Sequence, residues 1–213
     1  MPRPRLHERT CFTAPIATSD VRLTDELHRL AAAAGVAVPA LEVQIDSKRL
    51  ARVRHRRDGV RLLVRPETLL LPPQVLSGIL AHEVAHIARK HASIRSRMAI
   101  ASVGAIWAIV LAVTIAIVVL LRTGLSWLWP AMAAAALCLL VLTRAIPLAV
   151  MRRQEYEADR VAATLVGGPD AVIAFLDWVS THGGDKRSKP WYATHPSNAA
   201  RRQALLRAQS SRL

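Results

Sequence analysis

Leu80-Ala81-His82-Glu83-Val84-Ala85-His86-Ile87 decides how the rest of this chain is read. Two histidines stand four residues apart, and a glutamate directly follows the first. Residues four apart lie on one face of an α-helix, so both imidazoles can close on a single ion while Glu83 sits beside them. The pattern is H-E-x-x-H, in which the histidines hold zinc and the glutamate acts as general base. Chance placement yields it in about one chain of this composition in a hundred, so its surroundings must decide. They read Pro72-Pro73-Gln74-Val75-Leu76-Ser77-Gly78-Ile79. The prolines suit a helix start, and apolar residues recur at Val75, Leu76, Ile79, Leu80, Val84 and Ile87. Burying two unpaired imidazoles and a carboxylate on such a helix would cost about 1 to 3 kcal/mol each, whereas a metal site uses all three.

The 213 residues are 52% hydrophobic and 21% charged, values that fit a soluble protein if the apolar residues are spread evenly. They are not. No charge interrupts Met98 to Leu121 or Thr123 to Thr143, and about 20 apolar residues suffice to cross the hydrocarbon core of a membrane. Two buried helices of a soluble core would need more surrounding chain than exists here. The short connection Arg122 to Ser126 makes the pair an antiparallel hairpin, with Trp127 and Trp129 near its turn as interfacial aromatics. Arg89, Lys90, Arg95 and Arg97 precede the hairpin and Arg144, Arg152 and Arg153 follow it. The positive-inside rule therefore predicts a two-pass protein integral to the cytoplasmic membrane, its catalytic part facing the cytoplasm.

The net charge of +14 is carried mainly by arginine, 25 against 4 lysines. Attraction to an anionic membrane face, worth about 1 kcal/mol per cation, explains it. Nucleic acid is not expected as a partner, because only two Tyr and two Phe are present and no binding motif is found. Cys11 and Cys138 are too differently placed to pair, consistent with a reducing compartment. Met1 to Arg9 has no apolar run, so the hairpin itself is expected to direct insertion.

Residues 1–18 carry Pro, Arg and Thr without period and are expected to form a mobile tail. Ser19 or Asp20 can cap a helix with Leu23, Leu27, Leu30 and Ala31 on one face, ending at Gly35. Leu41 to Asp46 alternates like a half-buried strand, and Ala51 to Arg57 and Val60 to Arg65 flank Asp58-Gly59, a strong hairpin signal. A small antiparallel sheet is expected ahead of the H-E-x-x-H helix. An edge strand there can pair with an extended peptide, or its arginines can keep it inert; both readings stand. Pro147 is expected to end or kink the second apolar segment. Arg152 to Val166 reads as a separate helix, Asp170 as the cap of another, Gly183 to Pro190 as a polar loop suited to a lid, and Ser197 as the cap of a last helix. His91 fits no site and is expected to be solvent-exposed.

Catalytic zinc takes three protein ligands and keeps one position open. The third candidate lies in Gln154-Glu155-Tyr156-Glu157-Ala158-Asp159-Arg160. Glu155 and Asp159 are like charges at i and i+4, which repel unless something positive lies near. Arg152 or Arg160 can play that part; alternatively Glu155 is the ligand and Asp159 orients a ligand histidine through its other ring nitrogen.

H-E-x-x-H, the two-helix hairpin, Glu155-x-x-Ala158-Asp159, and Thr194-His195-Pro196-Ser197 followed by Arg201 together resemble the HtpX and CAAX-prenyl-protease family of membrane zinc metallopeptidases, of gluzincin type. The likeness runs from about Leu23 to Leu206. It implies one zinc per chain held by His82, His86 and Glu155, with Glu83 as base and Asp159 supporting a ligand. It implies that His195 assists at the oxyanion, with Arg201 nearby. The chain departs from the family in lacking spans before the catalytic helix, in carrying Asp46-Ser47-Lys48-Arg49-Leu50 where an asparagine-containing segment is usual, and in Ser197 replacing a second proline. No prenyl-binding signature is present.

The expected fold is mainly α with a small antiparallel β-sheet, a zincin-like catalytic domain interrupted by a two-helix transmembrane hairpin. Residues 19–97 and 144–213 would form its two parts and 98–143 the hairpin. The implied activity is hydrolysis of peptide bonds in membrane-associated or misfolded proteins. The alternative is a catalytically silent, basic membrane scaffold. Proteolysis inside the bilayer is disfavoured, because Glu67 and Arg89-Lys90 set the H-E-x-x-H helix outside it.

Overall fold

The computed structural model describes residues 16–44, 50–56, 59–124, 126–182 and 195–211. In chain order these are α1 (Ile16–Ala33), β1 (Ala40–Val43), β2 (Ala51–Arg56), β3 (Gly59–Val64), a 3₁₀ turn (Pro66–Leu70), α2 (Pro73–Ala88), α3 (His91–Thr123), a second 3₁₀ turn (Ser126–Leu128), α4 (Trp129–Leu165), α5 (Asp170–His182) and α6 (Asn198–Ser210).

The H-E-x-x-H helix α2 lies at the centre. Proline in its first turn gives up an N–H that no helical carbonyl could have accepted. Val75, Ile79, Leu80, Ala81, Val84 and Ala85 are all buried in one core. They pack against Leu23, Leu27 and Leu30 of α1, Val172 and Leu176 of α5, and Ala158 and Ala162 of α4. Gly78 lets α5 approach closely, since a Cβ there would collide with the carbonyl of Ala171. α1 starts at Ile16, so Ser19 and Asp20 lie inside the helix rather than at its cap. Its apolar stripe at Leu23, Leu27, Leu30 and Ala31 is buried, and Gly35 takes a left-handed φ of 64° just past its end.

The sheet is mixed rather than wholly antiparallel, with strand order β1-β3-β2. β2 and β3 pair antiparallel, Val53 opposite Leu62, whereas β1 runs parallel to β3. The physical reason lies in β3. Its Leu62, Leu63 and Val64 are at most 1% exposed, so this strand takes the middle and the two arginine- and glutamate-bearing strands become edges. The Asp58 turn position and residues 45–49 fall outside the described residues, as do residues 1–15 of the expected tail 1–18 and the expected lid 183–190; residues 16–18 are helical, the first of α1, rather than tail.

α3 and α4 are long and apolar enough to cross a membrane, and almost none of their apolar windows is buried. Large side chains such as Ile100, Trp107, Leu111, Ile115, Leu137 and Val141 stand exposed along them. Lys90, at a left-handed φ of 52°, separates α2 from α3 and redirects the chain. There is no corresponding break before the Glu155 segment. Pro147 lies inside α4, and the expected separate helix from Arg152 to Val166 is the last part of this 37-residue helix. Proline removes one hydrogen bond, but the helix is uninterrupted on both sides. The buried residues of α4 are Gln154, Glu155, Ala158, Asp159 and Ala162, so one rod is bare in its first two-thirds and docked in its last third.

Candidate metal centre

His82 and His86 emerge from one face of α2, and the last part of α4 crosses that face and presents Glu155. The Nε2 atoms of the two histidines are 3.1 Å apart. Glu155 places Oε2 3.5 Å from His82 Nε2 and Oε1 3.6 Å from His86 Nε2. All three side chains are buried, and their donor atoms lie within 4.8 Å of one another. Ligand bonds of about 2.1 Å at a tetrahedral angle would set donors about 3.4 Å apart, so the spacing and the two-nitrogen, one-oxygen set both fit zinc. Among the described residues this is the one such group.

A second layer of buried charge holds the three candidate ligands in place. Asp159 Oδ1 lies 3.0 Å from His82 Nδ1. Arg201, from α6, grips Asp159 with two parallel bonds, Nε to Oδ2 at 2.7 Å and Nη2 to Oδ1 at 2.6 Å. Its Nη1 is also 3.8 Å from Glu155 Oε2. A positive charge close to both Glu155 and Asp159 is thus supplied by Arg201, 42 residues beyond Asp159. α6 is positioned for this by its cap, where Ser197 Oγ accepts from Ala200 N at 3.2 Å.

Electrostatics follow from that layer. Burial by itself would depress the pKa of His82, but its bonds to Asp159 and Glu155 outweigh this and push it up to about 9. Burial, together with the charge of His82, drives His86 down to about 2. Burial works against ionisation of Glu155 and Asp159, yet His195 and His82 hold Glu155 low, and Arg201 and His82 hold Asp159 low. Arg201 is held above its ordinary value despite burial, through Asp159. Burial and pairing thus pull the two imidazoles in opposite directions, while pairing favours the ionised forms of Glu155 and Asp159.

Glu83 lies beside the ligands, and its Oε2 accepts the backbone N–H of Val53 at 3.1 Å. Because β2 is an edge strand, that N–H points away from β3 and into the cleft, and alternation aims those of Ala51 and His55 the same way. Arg52, Val53 and His55 accordingly line a cavity of about 330 Å³ together with His82, Glu83, His86 and Glu155. His195 stands at its mouth, 43% exposed, with Nδ1 3.1 Å from Glu155 Oε1.

His91 corrects the expectation of an exposed side chain, being 1% exposed. Its Nδ1 lies 2.7 Å from Nδ1 of His86, and its Nε2 faces Glu157 at 3.4 Å. The sign available in the sequence was position: His91 follows His86 by five residues, and the left-handed turn at Lys90 folds the start of α3 back over the helix end.

No curated protein and no solved structure matches the chain. A protein family does, over residues 19–209, a span that takes in every side chain of the centre just described. The chain belongs to peptidase family M48.

Proposed function

We propose that this peptidase is a membrane-anchored zinc metalloendopeptidase acting on membrane-associated or misfolded proteins. The observation that carries the reading is the convergence of His82 and His86, from α2 ahead of the apolar hairpin, with Glu155, from the last part of α4 beyond its apolar stretch. In this reading 19–97 and 144–213 form one catalytic unit, and 98–143 is a hairpin anchoring it to the cytoplasmic membrane with the site on the cytoplasmic side. The bare apolar lengths of α3 and α4 support the anchor, because exposed apolar surface of that extent is costly in water. Flanking arginines support the orientation.

His82, His86 and Glu155 would hold the zinc. A zinc ion bound there supplies Lewis acidity toward the scissile carbonyl and an acidified water. A substrate strand laid along β2 would compete for the Val53 N–H and so take that bond from Glu83 Oε2. Glu83 then takes a proton from the attacking water and delivers it to the leaving amine. His195, 43% exposed at the mouth of the cavity, donates toward the developing oxyanion, a contribution of about 3 kcal/mol for a well-placed donor. Asp159 and Arg201 keep His82 oriented with Nε2 toward the ligand cluster.

The test is paired. Glu83→Gln should retain one zinc per chain by elemental analysis and lose cleavage of an unfolded protein by a factor of about 10² to 10⁴. Equal cleavage by the variant would remove Glu83 as base. A wild-type protein purified without zinc affinity would favour a silent membrane scaffold instead.

A further inference from the structure

We infer that a groove between α4 and α6, on the side away from the catalytic cleft, binds the headgroup of an anionic phospholipid. The groove has a volume of about 1280 Å³. On α4, Ala149, Arg152, Arg153, Tyr156 and Arg160 recur at helical spacing and form one wall; Ala204, Arg207 and Ala208 of α6 form the other. Arg89 reaches in from the end of α2. Among the side chains lining the groove, Arg89, Arg152, Arg153, Arg160 and Arg207 carry guanidinium groups and Glu157, engaged by Arg89 at 2.9 Å, carries a carboxylate. The intervening small residues leave room for a ligand beneath the arginines. Guanidinium forks match phosphate oxygens in pairs, so the chemistry selects a phosphate-bearing ligand.

Position along α4 selects the source of that phosphate. The inference rests on α3 and α4 being a membrane hairpin. With Trp129 at the far interface, about 20 residues at about 1.5 Å each cover a hydrocarbon core of about 30 Å and end at residue 149, past the uncharged run that closes at Thr143, with the Arg144 side chain long enough to carry its guanidinium to that same interface. Ala149 is where the groove begins on this helix. Arg152 and Arg153 come a turn later, at the depth of lipid phosphates. A lipid arriving in the membrane plane meets the groove without leaving its leaflet, whereas an acidic peptide or nucleic acid would have to displace lipid to enter. The same helix α6 also delivers Arg201 to Asp159, so a headgroup bridging Arg153 or Arg160 to Arg207 would tie together the two helices on which the metal centre depends.

Native mass spectrometry of the full-length protein in detergent, titrated with phosphatidylglycerol against phosphatidylcholine, tests this. Wild type should retain phosphatidylglycerol in preference. Arg153→Gln/Arg160→Gln/Arg207→Gln should lose that preference by at least about tenfold, while Arg97→Gln/Arg144→Gln, which removes arginines flanking the hairpin but outside the groove, should keep it. Zinc content and helical circular dichroism verify folding, and Arg207→Gln alone serves if the triple variant does not fold. No preference in wild type, equal loss in both variants, or displacement of the lipid by millimolar inorganic phosphate or by an oligoglutamate peptide would overturn the groove. Carbonate extraction separates the two levels: protein released from membranes refutes the anchor itself, and retained protein without lipid preference refutes only the groove.

Discussion

His91 governs which nitrogen of His86 faces the ligand cluster. For Nε2 to offer a lone pair, Nδ1 of His86 must carry the proton and donate it to Nδ1 of His91. Burial lowers both pKa values, so two neutral rings can share that one proton. His91→Phe should weaken zinc binding by about 10- to 100-fold in chelator competition, and His91→Asn, which keeps an acceptor, should recover most of it. Unchanged affinity in the phenylalanine variant would leave His91 as packing alone. Asp159 and Arg201 make a second residue-scale prediction. The folded pKa of Asp159 lies below its ordinary 3.8. Its stabilisation is therefore complete above that value and is lost as pH falls through the folded one. In zinc-free protein at neutral pH, Asp159→Asn should lower unfolding stability by about 3 kcal/mol, because it leaves Arg201 buried and poorly paired. Denaturant titrations at decreasing pH should show the gap closing only below 3.8.

At the scale of elements, α2 was the most legible part of the chain. Its apolar residues recur with a helical period and its start carries prolines, so both its type and its buried face follow from local pattern. Its contact with α5 was not legible, because nothing local distinguishes a glycine that merely tolerates a helix from one against which a second backbone is pressed. Gly78→Ala should cost about 1 to 3 kcal/mol by overpacking, seen as a lowered Tm. Gly104→Ala on α3, where nothing lies within 4 Å, should leave Tm unchanged or raise it. The sheet shows the opposite case. Its strands could be read from alternation and from Asp58-Gly59, but their order depends on which strand the core covers completely, and the burial of β3 decided that.

Across the whole molecule, the proposed metal centre stands on the end of an apolar rod, and α4 is at once the second apolar helix and the source of Glu155. This joins the proposed anchor rigidly to the site. Cys138, free and exposed on α4, should be inert to a membrane-impermeant maleimide in intact membranes of a Cys11→Ser protein and should react once detergent is added; labelling before detergent would count against a spanning α4. H-E-x-x-H with its two histidines and the uncharged lengths of the hairpin were readable from sequence alone, because each depends on residue type and short-range spacing along a helix; Glu155 as their partner was implied only by the family resemblance. The parallel seat of β1, the continuity of α4 through Pro147, the burial of His91 behind His86 and the choice of Arg201 to neutralise Glu155 and Asp159 were decided only by tertiary structure. These depend on which distant segments compete for the same buried volume and the same buried charge, and spacing along the chain carries no record of that competition.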